Sequence, residues 1–416
     1  MKQSLLVLIA AFLLASTLGA ASPQYDKYGG WSRLKGTKTG FFHTEQIKGR
    51  WWLVTPEGNV FISKGVCHIS FEEGGPQVPH VPAPGNWAET VGQRLHEWGF
   101  NTVGSWSDQD MYTTGLAYTV MLGAAGTARR LPAATDGVPD YFSEEFRAST
   151  DRLAQKLCAP RANDPWLLGY FTDNEQAWTS NNLSWGDEPW NLKQSLLETY
   201  LKMPPNSAGY QKANEFIKTR GMIKGAMTED DRAGFQELAT AEYARVCRDA
   251  IHRYDPNHII LGCRYAGHAP DPVVRGMGPY FDVISFNNYD TRPPVWKLEH
   301  LTEISGKPII VSEFSFKAMD SGLPNTKGAG QPVATQQDRA DSFAQYVQDL
   351  VAMPSCVGFH WFEYRDEPAA GRGGDGENSN YGLVKIDGAP WEVLTSRMRE
   401  VNASLESFAV QKQKSH

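Results

Sequence analysis

The feature that most constrains the fold is an alternation, from residue 59 onward, of short apolar runs with longer amphipathic stretches. The apolar runs are Val60–Ser70, Asn101–Trp106, Ala117–Leu122, Leu167–Thr172, Ile259–Arg264, Val283–Phe286, Pro308–Ser312 and Val357–Phe362. Such alternation indicates βα units around a parallel sheet. Eight units of this kind predict an α/β fold of the (β/α)8 TIM-barrel type.

The amphipathic stretches predict the helices between these strands. The clearest candidates are Trp87–Trp98, Glu144–Leu157, Phe235–Tyr254, Gln336–Met353 and Trp391–Phe408. Residues 178–231 break the alternation, and we interpret them as an inserted helical segment after strand four. No linker-like or repetitive tract divides the chain, so residues 59–408 are expected to form one catalytic barrel.

The residues before the barrel divide into two predicted segments. Residues 1–21 combine Lys2, an apolar run at Leu5–Leu14 and small residues near position 20, which is typical of a cleaved signal peptide. Residues 22–58 are expected to form an N-terminal cap or β-hairpin that turns at Glu57-Gly58. We therefore expect a secreted or periplasmic protein with no membrane-spanning helix, because no other apolar stretch approaches the roughly 18 residues required.

Charge and cysteine content exclude several classes of function. A formal net charge of −7 disfavours nucleic acids and anionic membranes, which are bound by basic surfaces. The five cysteines contain no C-x-x-C pair, so a zinc or redox site is not expected. We predict buried free thiols, with at most two disulfides, and no metal or cofactor. Composition does not determine the oligomeric state.

Polar residues follow the predicted strands where a barrel forms its active site. In such barrels the site lies at the carboxyl ends of the strands. The polar segments there are Thr172–Glu175 after strand four, Asn287–Asp290 after strand six, Ser312–Phe314 after strand seven and His360–Tyr364 after strand eight. A mouth lined by carboxylates, amides and aromatic rings suits the binding and cleavage of sugars, so an oligo- or polysaccharide is the expected partner.

Glu175 and Glu313 are the predicted catalytic pair. Cleavage of a glycosidic bond uses two carboxyl groups, and a retaining enzyme holds them roughly 5–5.5 Å apart. The ends of strands four and seven face each other across a barrel mouth. Glu313 is the expected nucleophile, oriented by Tyr289, and Glu175 is the expected general acid/base. The charge of Glu313 would help to keep Glu175 protonated.

Further residues at the predicted mouth are candidate substrate ligands. For some of them a purely structural role is the alternative. His68 either contacts a sugar hydroxyl or is structural, and Trp106 is expected at a distal subsite. Arg264 either supports Glu313 or pairs with another carboxylate. Glu363 is expected to bind a sugar hydroxyl, and Asn287 lines the mouth.

Two other polar features are expected to be structural. Asp173 precedes the Asn174-Glu175 pair and is more typical of a structural acid than of a catalyst. The glycine-rich loop 370–376 does not join a strand to a helix as a phosphate-binding loop would, and it is expected to form a flexible rim of the cleft.

Four stretches of sequence resemble the glycoside hydrolases of clan A and, more narrowly, the family 50 β-agarases. They are Trp51–Phe61, Gly169–Glu175, Pro308–Phe314, and Gly358–Asp366 with its continuation Glu377–Val384. The resemblance covers roughly residues 50–405. It implies Glu175 as acid/base and Glu313 as nucleophile, in agreement with the placement on the strands. Many members of that family carry an N-terminal β-sandwich, so the chain resembles a short form of it.

The resemblance also implies roles for three neighbours of the catalytic pair. Asn174 is expected to bind the sugar 2-hydroxyl, Tyr289 to orient the nucleophile, and Trp361 to stack under the sugar at subsite −1. The expected reaction is retaining cleavage of β-glycosidic bonds in agarose, neoagaro-oligosaccharides or a related β-galactan. Two alternatives remain open: a β-galactosidase, β-glucosidase or β-mannosidase acting on another β-linked glycan, and a catalytically inactive carbohydrate-binding barrel.

Overall fold

The computed structural model describes residues 24–71, 85–132, 134–135, 137–178, 194–221, 227–267 and 269–413. The predicted signal peptide, residues 1–21, lies outside these ranges. The start of the predicted insertion, from residue 179 to residue 193, also lies outside them.

An antiparallel sheet of four strands precedes the barrel. Its strands are β1 (Trp31–Lys35), β2 (His43–Ile47), β3 (Arg50–Val54) and β4 (Asn59–Phe61), in the order β1-β4-β3-β2. β3 and β4 pair through Leu53 with Phe61 and Val54 with Val60. The turn between them ends at Gly58, whose φ of +82° favours glycine.

Eight parallel strands form a closed barrel, which confirms the predicted (β/α)8 fold. They are β5 (Ser63–Val66), β6 (Thr102–Val103), β7 (Ala117–Met121), β8 (Leu167–Asn174), β9 (Ile259–Ala266), β10 (Ile284–Asn287), β11 (Ile309–Phe314) and, after the short pair β12 (Phe316–Ala318) and β13 (Gln331–Val333), β14 (Cys356–Trp361). The ring closes in the order β10-β11-β14-β5-β6-β7-β8-β9. All eight residues of β9 are buried, as expected for a parallel strand covered on both faces.

Eleven α-helices lie among the described residues. They are α1 (Trp87–Glu97), α2 (Ala124–Ala128), α3 (Glu144–Leu157), α4 (Leu196–Tyr200), α5 (Ala208–Thr219), α6 (Glu229–Tyr254), α7 (Asp271–Met277), α8 (Val295–Ser305), α9 (Gln336–Ala352), α10 (Glu392–Asn402) and α11 (Leu405–Gln413). Three short 3₁₀ helices add to them, at Gln109–Thr113, Ala159–Arg161 and Gly278–Tyr280. Helices α4 and α5 lie within the predicted insertion.

Several element boundaries differ from the prediction, and three of the differences change how an element is interpreted. The first barrel strand begins at Ser63, because Val60 and Phe61 belong to β4 and not to the barrel. Helix α6 begins six residues earlier than expected, where Thr228 and Asp231 form a capping box. The predicted last helix consists of two helices, α10 and α11.

The antiparallel sheet covers the amino-terminal end of the barrel. Its residues Leu53 and Phe61 share one apolar cluster with Ile259 and Val357, which lie at the starts of β9 and β14. The opposite end, where the strands terminate, is left for the functional site.

Two further expectations concern the state of the cysteines and the presence of a membrane-spanning helix. All five cysteines are free and buried, as predicted, in positions 67, 158, 247, 263 and 356. Within the part of the chain that the structure describes, no helix is long and apolar enough to cross a membrane.

Candidate active site

Strained backbone marks the carboxyl ends of the barrel strands. Five described residues other than glycine have positive φ, and three of them follow barrel strands: His68 at +49°, Trp106 at +67° and Glu175 at +48°. Such conformations are costly for residues with a side chain and cluster at functional sites. The backbone therefore points to the same end of the barrel as the polar residues do.

Glu313, on β11, is held by three side-chain donors. Arg264 Nη2 donates to its Oε1 at 2.5 Å, and Trp106 Nε1 donates to the same oxygen at 3.1 Å. The hydroxyl of Tyr289 donates to Oε2 at 2.8 Å. An ionised carboxylate only accepts hydrogen bonds, so three donors, one of them a cation, suit its charged form.

Glu175 lies near Glu313, but its side chain has a different environment. Its Oε1 accepts one hydrogen bond from Asn287 Nδ2, at 2.8 Å, and the same amide nitrogen donates to Asn174 Oδ1 at 3.0 Å. Burial, and secondly the negative charge of Glu313, raise the pKa of Glu175 to about 7. A carboxyl group with this pKa carries a proton over much of the range near neutral pH.

Arg264 joins the two glutamates. It is fully buried on β9, and its backbone carbonyl accepts a hydrogen bond from the Glu175 amide at 2.8 Å. Its guanidinium lies over the rings of Trp106 and Phe171. Of the two alternatives for this arginine, the structure shows direct pairing with Glu313.

A second charged cluster, the Arg372 cluster, adjoins the glutamate pair. Nη1 of Arg372 lies 2.7 Å from Glu367 and 3.4 Å from Glu363, while Nη2 lies 2.8 Å from Asp375 and 2.9 Å from Glu377. Only 10% of the Arg372 side chain is exposed. Ion pairs through Arg372 therefore tie the glycine-rich loop to Glu363 and Glu367, which are both buried.

Burial raises the pKa of the carboxyl groups in the Arg372 cluster. The pKa rises to about 7 for Glu363 and Glu377, and to about 10 for Glu367, where the charge of Glu363 adds to the effect. Burial lowers the pKa of His68 to about 4, so its imidazole is neutral when its Nδ1 contacts Glu363. Near neutral pH the cluster therefore holds protons as well as charge.

Three members of this region also lie close enough together to hold a metal ion. The ligand atoms of His68, Glu363 and Glu367 lie within 4.8 Å of one another. However, the guanidinium of Arg372 contacts both glutamates, and it supplies a positive charge where a metal would bind. We assign no metal to this cluster.

Trp361 does not lie at the mouth, which corrects its predicted role under a sugar. It is fully buried, its Nε1 donates to the Tyr381 carbonyl at 2.8 Å, and it packs against Phe343 of α9. Side chains alternate along a strand, so His360 points into the barrel and Trp361 points to the helices. The ring that joins the mouth cluster with Tyr289 is the next residue, Phe362.

Two further expectations are settled by hydrogen bonds. Trp106 donates to Glu313 itself, so its indole lies beside that carboxylate and not at a distance from it. Asp173 accepts from the amides of Ala125 and Gly126 and from Tyr243, which is a structural role, as expected.

The structure also brings in residues that the sequence did not indicate. They are Glu367, Arg372, Glu377 and Tyr381. All follow strand eight, up to 20 residues beyond it, where no periodic pattern predicts which side chains return to the mouth. Four carboxylates within eight positions of one arginine in a glycine-rich loop were the available signal.

A closed (β/α)8 barrel with two differently held glutamates at the ends of its strands is typical of glycoside hydrolases. Comparison with known proteins refines this class. The chain is 28% identical to β-agarase B of Vibrio sp. (strain JT0107) over 95% of its length, and 29% identical to β-agarase A of the same organism over 77%. It spans 51% of the first and 36% of the second. No protein-family profile matches the chain.

Solved structures agree with these sequence relatives. An exo-β-agarase superposes with a TM-score of 0.80 at 23% identity, over 93% of this chain and 68% of that one. The agarase AgWH50C superposes with a TM-score of 0.77 at 25% identity, over 93% and 67%. The resemblance to the β-agarases that the sequence motifs indicated is confirmed.

Proposed function

We propose that this chain is a retaining glycoside hydrolase that cleaves β-glycosidic bonds in agarose or neoagaro-oligosaccharides. The observation that carries the proposal is the difference in surroundings between two neighbouring glutamates. Glu313 accepts from a cation and two neutral donors, whereas Glu175 is buried with one amide donor and a raised pKa. The substrate class follows from the sequence relatives, which are β-agarases.

In the first step Glu313 attacks the anomeric carbon of the sugar. As that bond forms, the glycosidic bond breaks, and Glu175 gives its proton to the departing oxygen. Arg264, Trp106 and Tyr289 position the attacking carboxylate. The products of this step are a glycosyl ester on Glu313 and an ionised Glu175.

In the second step water cleaves the ester. Esterification removes the negative charge of Glu313, which was the second cause of the raised pKa of Glu175. The carboxylate of Glu175 then takes a proton from water as the water attacks the anomeric carbon. Glu313 leaves as a carboxylate, and the product has the configuration of the substrate.

Neighbouring side chains provide groups for binding the sugar. Glu363 is buried at the mouth, where His68, Arg372 and the Glu367 carboxyl contact it, and in this proposal it binds a sugar hydroxyl. His68, Asn174 and Asn287 add polar atoms around the pair, and Phe362 adds an apolar ring. In this proposal Phe362 takes the stacking role that the family resemblance implied for Trp361.

The test of the proposal is a product profile on agarose, neoagaro-oligosaccharides, β-galactan, mannan, xylan, β-glucans and aryl β-glycosides. Release of neoagaro-type products is expected. Cleavage of a different β-glycan alone would leave the two-glutamate mechanism but reject the substrate. Glu175→Gln and Glu313→Gln are each expected to reduce turnover at least a thousandfold with the fold intact, roughly the loss seen when a catalytic group is removed.

Azide distinguishes the two glutamates by the configuration of the product. In Glu313→Ala, azide occupies the place of the nucleophile and is expected to give an α-glycosyl azide. In Glu175→Ala, azide attacks the glycosyl ester and is expected to give the β-anomer from an aryl β-glycoside. The opposite pairing of variant and anomer would reverse the assigned roles.

We further propose that the protein is exported, on the basis of the signal-like residues 1–21. Amino-terminal sequencing of the protein recovered from periplasm and medium tests this. A mature terminus near residue 22 is expected, and an intact Met1 in the cytoplasm would reject it.

A further inference from the structure

Trp296 is exposed in a way that the packing of its helix does not explain. Its exposed fraction is 75%, whereas every other tryptophan among the described residues is buried or half-buried. Leu298 and Leu301 are the residues that α8 buries. Trp296 lies two positions before Leu298, about 200° around the helix, on the side that normally carries polar residues.

The segment that presents Trp296 is anchored at both ends. At its start, the hydroxyl of Tyr346 donates to the carbonyl and to Oδ1 of Asn288, at 3.0 and 2.6 Å. At its end, Pro293 is buried and Pro294 restricts the backbone where α8 begins. The indole ring therefore projects into solvent from a rigid support.

Trp296 also lies on the same end of the barrel as the catalytic pair. Helix α8 follows β10, so its first turn lies at the carboxyl ends of the strands. Tyr289, which donates to Glu313, is seven residues earlier on the same connection. A fully extended chain of seven residues spans at most about 25 Å, which places Trp296 within reach of a polymer that extends from the mouth.

We propose that Trp296 is a platform for a distal part of the polysaccharide chain, outside the subsites at the catalytic pair. The apolar faces of sugar rings pack flat on an indole, and an exposed tryptophan offers a large apolar surface for this contact. The occupant is an agarose chain, so this inference rests on the proposed function. The interaction favours long substrates over short ones.

The experiment measures binding separately from hydrolysis. Native gels containing dissolved agarose report the affinity of the Glu175→Gln protein through its retardation. Replacing Trp296 by Leu in this background is expected to raise the dissociation constant roughly fivefold or more, because the flat ring is lost while an apolar side chain remains. Trp296→Phe is expected to keep most of the retardation. Val393→Ala, which shortens another exposed apolar side chain, is the control and is expected to change nothing.

Activity of the otherwise native enzyme gives the second readout. In Trp296→Leu the ratio of kcat/KM on agarose to kcat/KM on neoagarotetraose is expected to fall at least fivefold. Equal losses on both substrates, or unchanged retardation in the gel, would overturn the platform. Agarose binding that depends on Trp296 without cleavage of any agarose substrate would support the platform and reject the proposed function.

Discussion

The two glutamates at the mouth are the same residue type, and their neighbours determine which can give a proton. Arg264 places a full positive charge against Glu313, at 2.5 Å. Glu175 has an uncharged amide, and burial dominates its pKa. The difference comes from side chains on or just after three other strands, an arrangement that suits the proposed roles of Glu175 as acid and Glu313 as nucleophile.

The pKa of Glu175 predicts the alkaline side of the pH profile. The acid must be protonated to assist the leaving group, so kcat/KM is expected to fall as the pH rises above about 7. The hydrogen bond from Asn287 lowers this pKa. Asn287→Ala is therefore expected to move the alkaline limb to higher pH, whatever its effect on the maximal rate, as measured with neoagarotetraose between pH 4 and 10.

The matched control for this variant is Asn288→Ala. Asn288 is the next residue, but its amide donates to Asp290 and not to Glu175. Its alkaline limb is expected to coincide with that of the native enzyme. A limb that stays in place in Asn287→Ala, or moves to lower pH, would contradict the assignment to Glu175.

Tyr289 provides a second prediction at the scale of one atom. Tyr289→Phe removes only the hydroxyl that donates to Glu313 Oε2. A hydrogen bond to a charged group contributes about 1.5–3 kcal/mol, so kcat is expected to fall roughly tenfold to hundredfold. Tyr265→Phe removes a buried hydroxyl that contacts Met277 instead, and its kcat should stay within about twofold. Equal losses in the two variants would point to a general packing effect.

Among the elements, the barrel strands were predictable because each is a short apolar run followed by polar residues. The positions of Glu175 and Glu313 followed from the same runs. The direction of individual side chains did not follow for the end of β14 and the residues after it, where the six positions Phe359–Tyr364 are all aromatic, histidine or acidic. Such a run hides the alternation that would have assigned Trp361 to the helix side and His360 to the interior.

The Arg372 cluster could not be predicted for a different reason. Its charges come from a loop without helical or strand periodicity, and they meet only because the chain folds back over the end of β14. Gly376 and Arg372 close a turn of that loop through a backbone hydrogen bond of 3.0 Å. Contacts of this kind depend on the path of the whole loop and leave only the composition as a signal.

The contribution of Arg372 to the free energy of unfolding is expected to change with pH. The guanidinium lowers the pKa of Glu363 and Glu377 against the larger effect of burial. In Arg372→Met these carboxyl groups take up protons at higher pH than in the native protein. Folded Arg372→Met therefore binds more protons, so its deficit in unfolding free energy grows as the pH rises.

Thermal unfolding at pH 5 and pH 8 measures this effect. The difference in midpoint between native protein and Arg372→Met is expected to be larger at pH 8. Arg397→Met removes a half-exposed arginine with carboxylate partners at 3.2 and 3.8 Å, and its small deficit should be similar at both pH values. A deficit for Arg372→Met that does not depend on pH would show that the loop does not rely on these charges.

At the scale of the whole molecule, the two ends of the barrel differ in structure: one carries the candidate site and the other is covered. The carboxyl ends of the strands carry the glutamates, and the antiparallel sheet β1–β4 covers the other end. The sequence predicted the barrel and a segment before it, but it assigned Val60 and Phe61 to the first barrel strand. The two sheets are separated by Ile62 alone, so no turn residue marked the boundary.

Arg50 provides the test of how these two parts are joined. Its buried guanidinium donates to the carbonyls of Val351, Met353 and Cys356, at 2.8, 3.0 and 2.9 Å, and so ties β3 to the start of β14. Arg50→Met leaves three carbonyl groups without this donor in a buried place. The free energy of unfolding is expected to fall by about 2–4 kcal/mol, since each unsatisfied group costs about 1–3 kcal/mol before relaxation.

The same variant separates stability from catalysis. Arg50 lies at the covered end of the barrel, so below the unfolding transition kcat/KM is expected to match that of the native enzyme. Calorimetry is expected to show one transition at a lower temperature, because Leu53 and Phe61 share an apolar cluster with the barrel strands. Arg33→Met changes an exposed residue of β1 and should leave the midpoint within about one degree. Two separate transitions in Arg50→Met would mean that the sheet folds independently of the barrel, and a loss of kcat/KM would mean that the two ends are coupled.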